Sequence, residues 1–279
     1  MSGGTHFADR LAGAVESKRS QLCVGLDPDP ALMPEGVGVV EFCNGIVDAV
    51  AGSAAAVKPQ LAFFEALGAD GWTAFLAVCA HAREAGLLVI ADAKRGDVPS
   101  TARAYASAFA RVADALTVNP YLGGDSVAPF LAAAGEHGSG IFCLVKTSNP
   151  GSADVQDLPL ADGALVWQRV AELVDGWGAD LVGESGLSSV GAVVGATFPE
   201  EVAEARRLLP RAPLLLPGVG AQGGRPEELA PAFAGPGSAL VSASRSVLYA
   251  DSGPGWREAA AAEAERLRDA IARTAEPVA

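Results

Sequence analysis

Two acids and a lysine, Asp92, Lys94 and Asp97, share the short stretch ADAKRGD at 91–97, directly after the apolar run LLVI at 87–90. Asp92 and Lys94 are two positions apart, so on an extended strand their side chains face the same way. Gly96 lets the backbone turn before Asp97. A second lysine, Lys58, ends another apolar run, and the four side chains make an alternating set of two cations and two anions. Such a set holds a lysine ammonium charged and oriented among carboxylates, in a state to donate a proton. A buried ion-pair network contributes little stability for its desolvation, so chemistry is the better reading of these residues.

Other reactive groups also follow apolar runs. Asp27 follows QLCVGL, Asn119 follows ALTV, and Thr147 and Ser148 follow GIFCLVK. Gln222 lies in PGVGAQGG at 217–224, whose glycines offer flexible backbone with free N–H groups, and Arg245 follows SALVSAS at a possible short-helix start. Glycines after a seventh strand and an arginine after an eighth are what a barrel uses to hold phosphate. The residues alone thus indicate an enzyme acting on a phosphorylated small molecule through a lysine acid or base.

The elements that must position these groups are eight apolar runs, at 21–27, 54–59, 87–94, 115–120, 140–147, 190–197, 213–220 and 238–244. They are continuous rather than alternating, as strands buried on both faces are. Helical patterns fill the gaps. Tyr105, Phe109 and Val112 share a face, LVWQRVAELVDGW at 165–177 reads as a helix, and Thr197 with Glu200 has capping-box spacing before EVAEARRLL. ADLVGES at 179–185 competes for strand six, but 190–195 is preferred because a capped helix follows it. Eight strand–helix units predict one (β/α)8 TIM barrel over 1–279 with short flexible ends. A doubly wound open sheet is the alternative, against which no glycine-rich dinucleotide fingerprint follows strand one.

Composition limits the partners. The net charge of −13, from 33 acids and 20 bases, disfavours a nucleic-acid surface. No run is long enough to span a membrane, and residues 1–20 lack an apolar stretch. Cys23, Cys43, Cys79 and Cys143 lie apart in apolar surroundings and read as buried thiols, which fits a reducing cytoplasm. His6, His81 and His137 read as solvated surface residues.

Several segments resemble orotidine 5'-phosphate decarboxylase in its longer bacterial form: GLDPDP at 25–30, DAKRGDVPSTARAYA at 92–106, TVNPYLGGDS at 117–126, KTSNPGS at 146–152, VGATFPEE at 194–201 and PGVGAQGG at 217–224. The resemblance runs over nearly the whole chain. It implies conversion of orotidine 5'-phosphate to UMP and CO2, the last step of de novo pyrimidine synthesis, with neither metal nor organic cofactor. It also implies a homodimer whose partner loops complete each site. By that resemblance Lys94 is the proton donor to C6 of the pyrimidine, flanked by Asp92 and Asp97, with Asp97 and Thr101 contributed across the dimer. Lys58 and Asp27 contact the ribose, Ser148 reads the pyrimidine edge, and Gln222 and Arg245 hold phosphate. The chain departs from the family's usual pattern at Pro99 and Ser244, where glycine is common. Pro99 should stiffen its loop, and the Ser244 side chain crowds a backbone phosphate contact.

Overall fold

Eight parallel strands close on themselves in sequence order, β1 pairing with both β2 and β8. The computed structural model describes residues 6–219 and 224–275. The strands are β1 (Leu22–Leu26), β2 (Ala56–Pro59), β3 (Leu88–Arg95), β4 (Ala115–Val118), β5 (Gly140–Lys146), β6 (Val190–Val194), β7 (Leu214–Pro217) and β8 (Ala239–Ala243). The helices are α1 (Phe7–Lys18), α2 (Val39–Val50), α3 (Leu61–Glu65), α4 (Gly68–Glu84), α5 (Pro99–Phe109), α6 (Gly124–His137), α7 (Val166–Trp177), α8 (Pro199–Leu208), α9 (Arg245–Leu248) and α10 (Trp256–Ala275). This is the (β/α)8 barrel that the apolar runs predict, and each run holds one strand.

The alternation of side chains along each strand divides the core in two. Cys23, Ala56, Ile90, Ala115, Phe142, Val193, Leu215 and Leu240 fill the barrel interior, one from each strand. The neighbouring positions, such as Val24, Val57, Val89, Leu116 and Cys143, pack outward against the helices. Both faces of every strand are therefore covered, which is why the runs read as continuously apolar.

Helix α1 closes the end of the barrel where the strands begin. Phe7, Leu11 and Val15 join the interior cluster, and the Phe7 ring meets Phe142 edge-on at 6.0 Å between centroids. Burying such a ring contributes about 1.5–3 kcal/mol. Arg10 pairs with the buried Asp114, whose second oxygen accepts the Val89 amide at 2.9 Å. The opposite end, where the strands finish, is open.

Three local expectations need correction. α5 stops at Phe109, so Val112 packs from the loop beyond it. α8 begins with Pro199 at its first position and Phe198 as N-cap without a side-chain cap bond, and Thr197 Oγ1 is buried without a partner among the described residues, so no capping box forms. Proline's fixed φ and absent N–H start the helix instead. His6 is half-buried and bonds Ser189 Oγ at 3.0 Å, which docks the start of α1. The 179–185 segment forms a single antiparallel bridge, Val182 to Ser188, and strand six lies at Val190–Val194 as preferred. Pro99 opens α5 at its first helical position.

Candidate active site

The period of two that points Cys23, Ala56, Ile90 and Ala115 into the barrel carries Asp27, Lys58, Asp92 and Thr117 to the inner wall nearer the open end. There they line a cavity of about 590 Å³ together with Gln60, Lys94, Ser148, Ser242 and Arg245, among others.

Asp92 is the hub. Lys58 Nζ donates to its Oδ2 at 2.8 Å and Gln60 Nε2 to the same oxygen at 2.9 Å. Lys94 Nζ donates to Oδ1 at 2.5 Å and Thr117 Oγ1 to that oxygen at 2.9 Å. The two carboxylate oxygens thus share four donors. Burial pushes the Asp92 carboxyl up, but the Lys58 and Lys94 ammonium groups outweigh it and hold it down at about 2. Burial pulls the Lys58 ammonium down, yet Asp92 and Asp27 outweigh that and raise it above its ordinary value. Both partners stay ionised at neutral pH.

Lys94 reaches Asp92 by an irregular backbone. Its φ is +48°, in the left-handed region that a residue with a Cβ seldom occupies, and the pairing of β3 with β4 shifts register between Ala91 and Arg95. The Lys94 amide donates to Thr117 Oγ1 at 2.9 Å, which fixes the bend. Gly96 is required just beyond it, because a Cβ there would lie 2.4 Å from the Asn119 carbonyl oxygen. The Lys94 side chain is 43% exposed and that of Lys58 is 7% exposed, so one ammonium stands at the mouth and the other at depth. Strain of this kind gathers at functional sites.

The alternating set of four charges is not completed within one chain. Asp97 Oδ1 accepts the Val98 amide at 2.7 Å, and among the described residues Asp97 makes no ion pair. Asp97 and Thr101, at the start of the loop and in the first turn of α5, are not among the residues that line the cavity. Asn119, also expected at the rim, accepts the Tyr121 amide on its Oδ1 at 3.1 Å and does not line it either. Gln222 lies outside the described residues.

Asp27 lines the cavity with a buried Oδ1 that has no hydrogen-bond partner among the described residues. Its backbone is held by Tyr249, whose hydroxyl donates to the Asp27 carbonyl at 2.8 Å and accepts the Asp29 amide at 2.8 Å. Ser148 follows β5 and sits against Gly195, where a Cβ would meet the Ser148 Cβ at 2.9 Å. Arg245 opens the four-residue α9, is exposed at the rim, and makes no ion pair among the described residues. The Ser244 hydroxyl fills the space above Gly25, so this serine is accommodated by a glycine on the adjacent strand. Gly218, which follows the adjacent strand β7, lines the same cavity at φ +110°, and its carbonyl accepts the Gly224 amide at 3.1 Å.

Gln60, Thr117 and Tyr249 are absent from the sequence reading. Thr117 had a usable signal, since it is polar at an inward position of an otherwise apolar strand. Gln60 continues the inward phase of Lys58, while Tyr249 has no local signature. Among the described residues, no group of three or more His, Cys, Asp or Glu side chains is placed to hold a metal ion. The four cysteines are buried and free, and burial pushes their thiols up to about 12, well away from thiolate chemistry.

Over residues 20–262 the chain matches the family described as orotidine 5'-phosphate decarboxylase / HUMPS. It is 46% identical over 275 residues to an orotidine 5'-phosphate decarboxylase of Roseiflexus sp. (strain RS-1), covering 95% of this chain and 97% of that one. A namesake from Deinococcus radiodurans is 47% identical over 272 residues, covering 95% and 98%. Among solved structures, the OMP decarboxylase of Leishmania donovani is similar with a TM-score of 0.80 at 35% identity, covering 97% of this chain and 99% of that one.

Proposed function

The chain belongs to the orotidine 5'-phosphate decarboxylase / HUMPS family and is an enzyme of that decarboxylase kind, acting in pyrimidine biosynthesis; from that premise we propose how its residues divide the reaction. Lys94 is the proton donor. As the bond from C6 of the pyrimidine to its carboxylate breaks, CO2 leaves and the electron pair remains on C6. The Lys94 ammonium stabilises that charge and then transfers its proton to C6, giving UMP. Lysine suits the step because arginine holds its proton too tightly. The observation that carries this reading is the Lys58–Asp92–Lys94 chain of ion pairs, which holds the Lys94 ammonium against Asp92 at the edge of the cavity.

Lys58 and the unpartnered Asp27 oxygen meet the ribose, Ser148 the pyrimidine edge, and Arg245 with Gln222 the phosphate. The phosphate is remote from the breaking bond, but its binding energy can position the base. The reaction needs no metal or organic cofactor.

A second copy of the chain brings Asp97 and Thr101 to the site. Two observations support this. Both residues lie off their own chain's cavity, and Val98, Tyr121 and Leu122, in the segments that follow β3 and β4, are exposed apolar side chains suited to a partner. The likeness to bacterial relatives over 97–98% of their lengths supports the longer bacterial form, and four reduced thiols accord with the cytoplasm. Among the described residues no helix is long and apolar enough to cross a membrane.

The test follows the absorbance of orotidine 5'-phosphate with purified protein, with and without EDTA. Loss of substrate at equal rates supports a metal-independent decarboxylase. Loss abolished by EDTA and restored by magnesium, or no loss at all, overturns it. For the shared site, an Asp97→Asn chain mixed with a Lys94→Ala chain should regain activity, because one site of each mixed dimer carries neither change. Absence of recovery after confirmed subunit exchange would remove Asp97 from the partner's site.

A further inference from the structure

A third strand-end lysine, Lys146, has no part in the reaction proposed for Lys58 and Lys94. Lys146 ends β5, two positions beyond Leu144 and four beyond Phe142, both of which face the barrel interior. Alternation would send a third ammonium into the cavity. It does not go there. The pairing of β5 with β6 shifts register between Leu144 and Lys146, and Lys146 is not among the cavity-lining residues, although Leu144, Thr147 and Ser148 are. A register shift of this kind re-aims a side chain. Lys146 is only 2% exposed, and its Nζ lies 2.5 Å from Asp157 Oδ1 and 3.5 Å from Glu201 Oε1. Burying an ammonium with two carboxylates is costly unless the arrangement serves something.

What it joins gives the answer. Asp157 closes the loop that leaves β5, and Glu201 belongs to the first turn of α8. Beside the ion pair, Thr147 N donates to Gln156 Oε1 at 2.9 Å and Gln156 Nε2 donates to Thr147 Oγ1 at 2.8 Å. The two ends of the excursion 147–157 are therefore fastened by three contacts. Between them stand Ser148, Asn149 and Pro150, all of which line the cavity. The Lys146 carbonyl accepts the Gly195 amide at 2.9 Å, tying the same point to the end of β6 where Ser148 rests.

We infer that Lys146, Asp157 and Glu201 form a clasp that sets the position of the 148–150 segment over the cavity, and so governs recognition of the pyrimidine base. Lys146 is a positioning residue, acting through Ser148 and its neighbours. The inference rests on the assignment of this cavity to a pyrimidine nucleotide. The clasp lies on the β5–β6 side of the cavity, whereas the phosphate-binding residues follow β7 and β8. Loosening it should weaken base recognition and leave the phosphate grip intact.

The informative variant is Asp157→Asn, because Asp157 is 34% exposed and its loss spares the core. Titration calorimetry would compare UMP with ribose 5-phosphate, which keeps the phosphate and lacks the base. The expected result is UMP binding weakened about tenfold and ribose 5-phosphate unchanged, with KM for orotidine 5'-phosphate rising more than kcat falls. Amide exchange across 147–157 should quicken. Lys146→Met should give the same split if it folds. Equal weakening of both ligands, or of neither, overturns the clasp. If the unsubstituted chain neither binds UMP nor decarboxylates orotidine 5'-phosphate, the nucleotide assignment fails and the clasp with it. If the unsubstituted chain does both and Asp157→Asn is unaltered, only the clasp fails.

Discussion

Lys94 at the end of β3 and Lys146 at the end of β5 begin from similar sequence positions and end in opposite surroundings. Each occupies the inward phase of its strand, each lies where the pairing to the next strand shifts register, and each contacts a carboxylate at 2.5 Å. Lys94 pays for a left-handed backbone and remains in the cavity, 43% exposed. Lys146 turns to the outer layer and is buried. A register shift therefore does not by itself mark a reactive lysine. What separates the two is whether the ammonium keeps access to solvent and substrate, as a proton donor must, or is enclosed by carboxylates on neighbouring elements, as a structural tie is.

The sharpest separation should come from removing each ammonium. Lys94→Ala is expected to lower kcat by roughly 10²–10⁴-fold, the usual contribution of a positioned acid, with little change in melting temperature. Lys146→Met should do the reverse, lowering stability by about 1–3 kcal/mol in urea denaturation, less than a fully enclosed pair because Asp157 is partly solvated. A stable Lys146→Met protein without turnover would break the comparison. Arg245→Ala, remote from both lysines, should raise KM roughly 10- to 100-fold, as loss of a charge-assisted contact does; unchanged kinetics would remove it from the phosphate site.

Smaller effects refine the Lys94 side. Thr117→Val deletes one donor to Asp92 and the acceptor of the Lys94 amide, and about 1 kcal/mol, near fivefold in kcat, is expected. The last test is with pH. The Asp92 carboxyl is lowered in the folded chain, from 3.8 to about 2. Its stabilising contribution is therefore present above pH 3.8 and is lost as pH falls through about 2. A carboxyl carbon signal of Asp92 titrating near 4 in the folded protein would contradict the donor geometry around it.

The strands were legible because burial on both faces leaves an unbroken apolar run, and their places at the ends of such runs made Asp27, Lys58 and Asp92 readable as one rim. The ends of strands were less so. The turns at Lys94 and Lys146 depend on register against a neighbouring strand, which no local pattern encodes, so Lys146 went unremarked while Asp97 was grouped with a cluster it does not join in its own chain. Tyr249 supports Asp27 from the far end of the sequence, a contact that only barrel closure creates. The capping reading at Thr197 failed because Pro199 already satisfies the needs of that helix start.

Helix α1 has a consequence for traffic. With Phe7 seated in the floor, the barrel is a dead end, and every molecule that enters must leave by the mouth it came in. Carbon dioxide released inside has to pass the nucleotide or wait behind it, and a proton given up by Lys94, in the role proposed for it, can be replaced only from the same side. Its place at the mouth puts the lysine in reach of that supply, while Lys58, further down, is cut off from it.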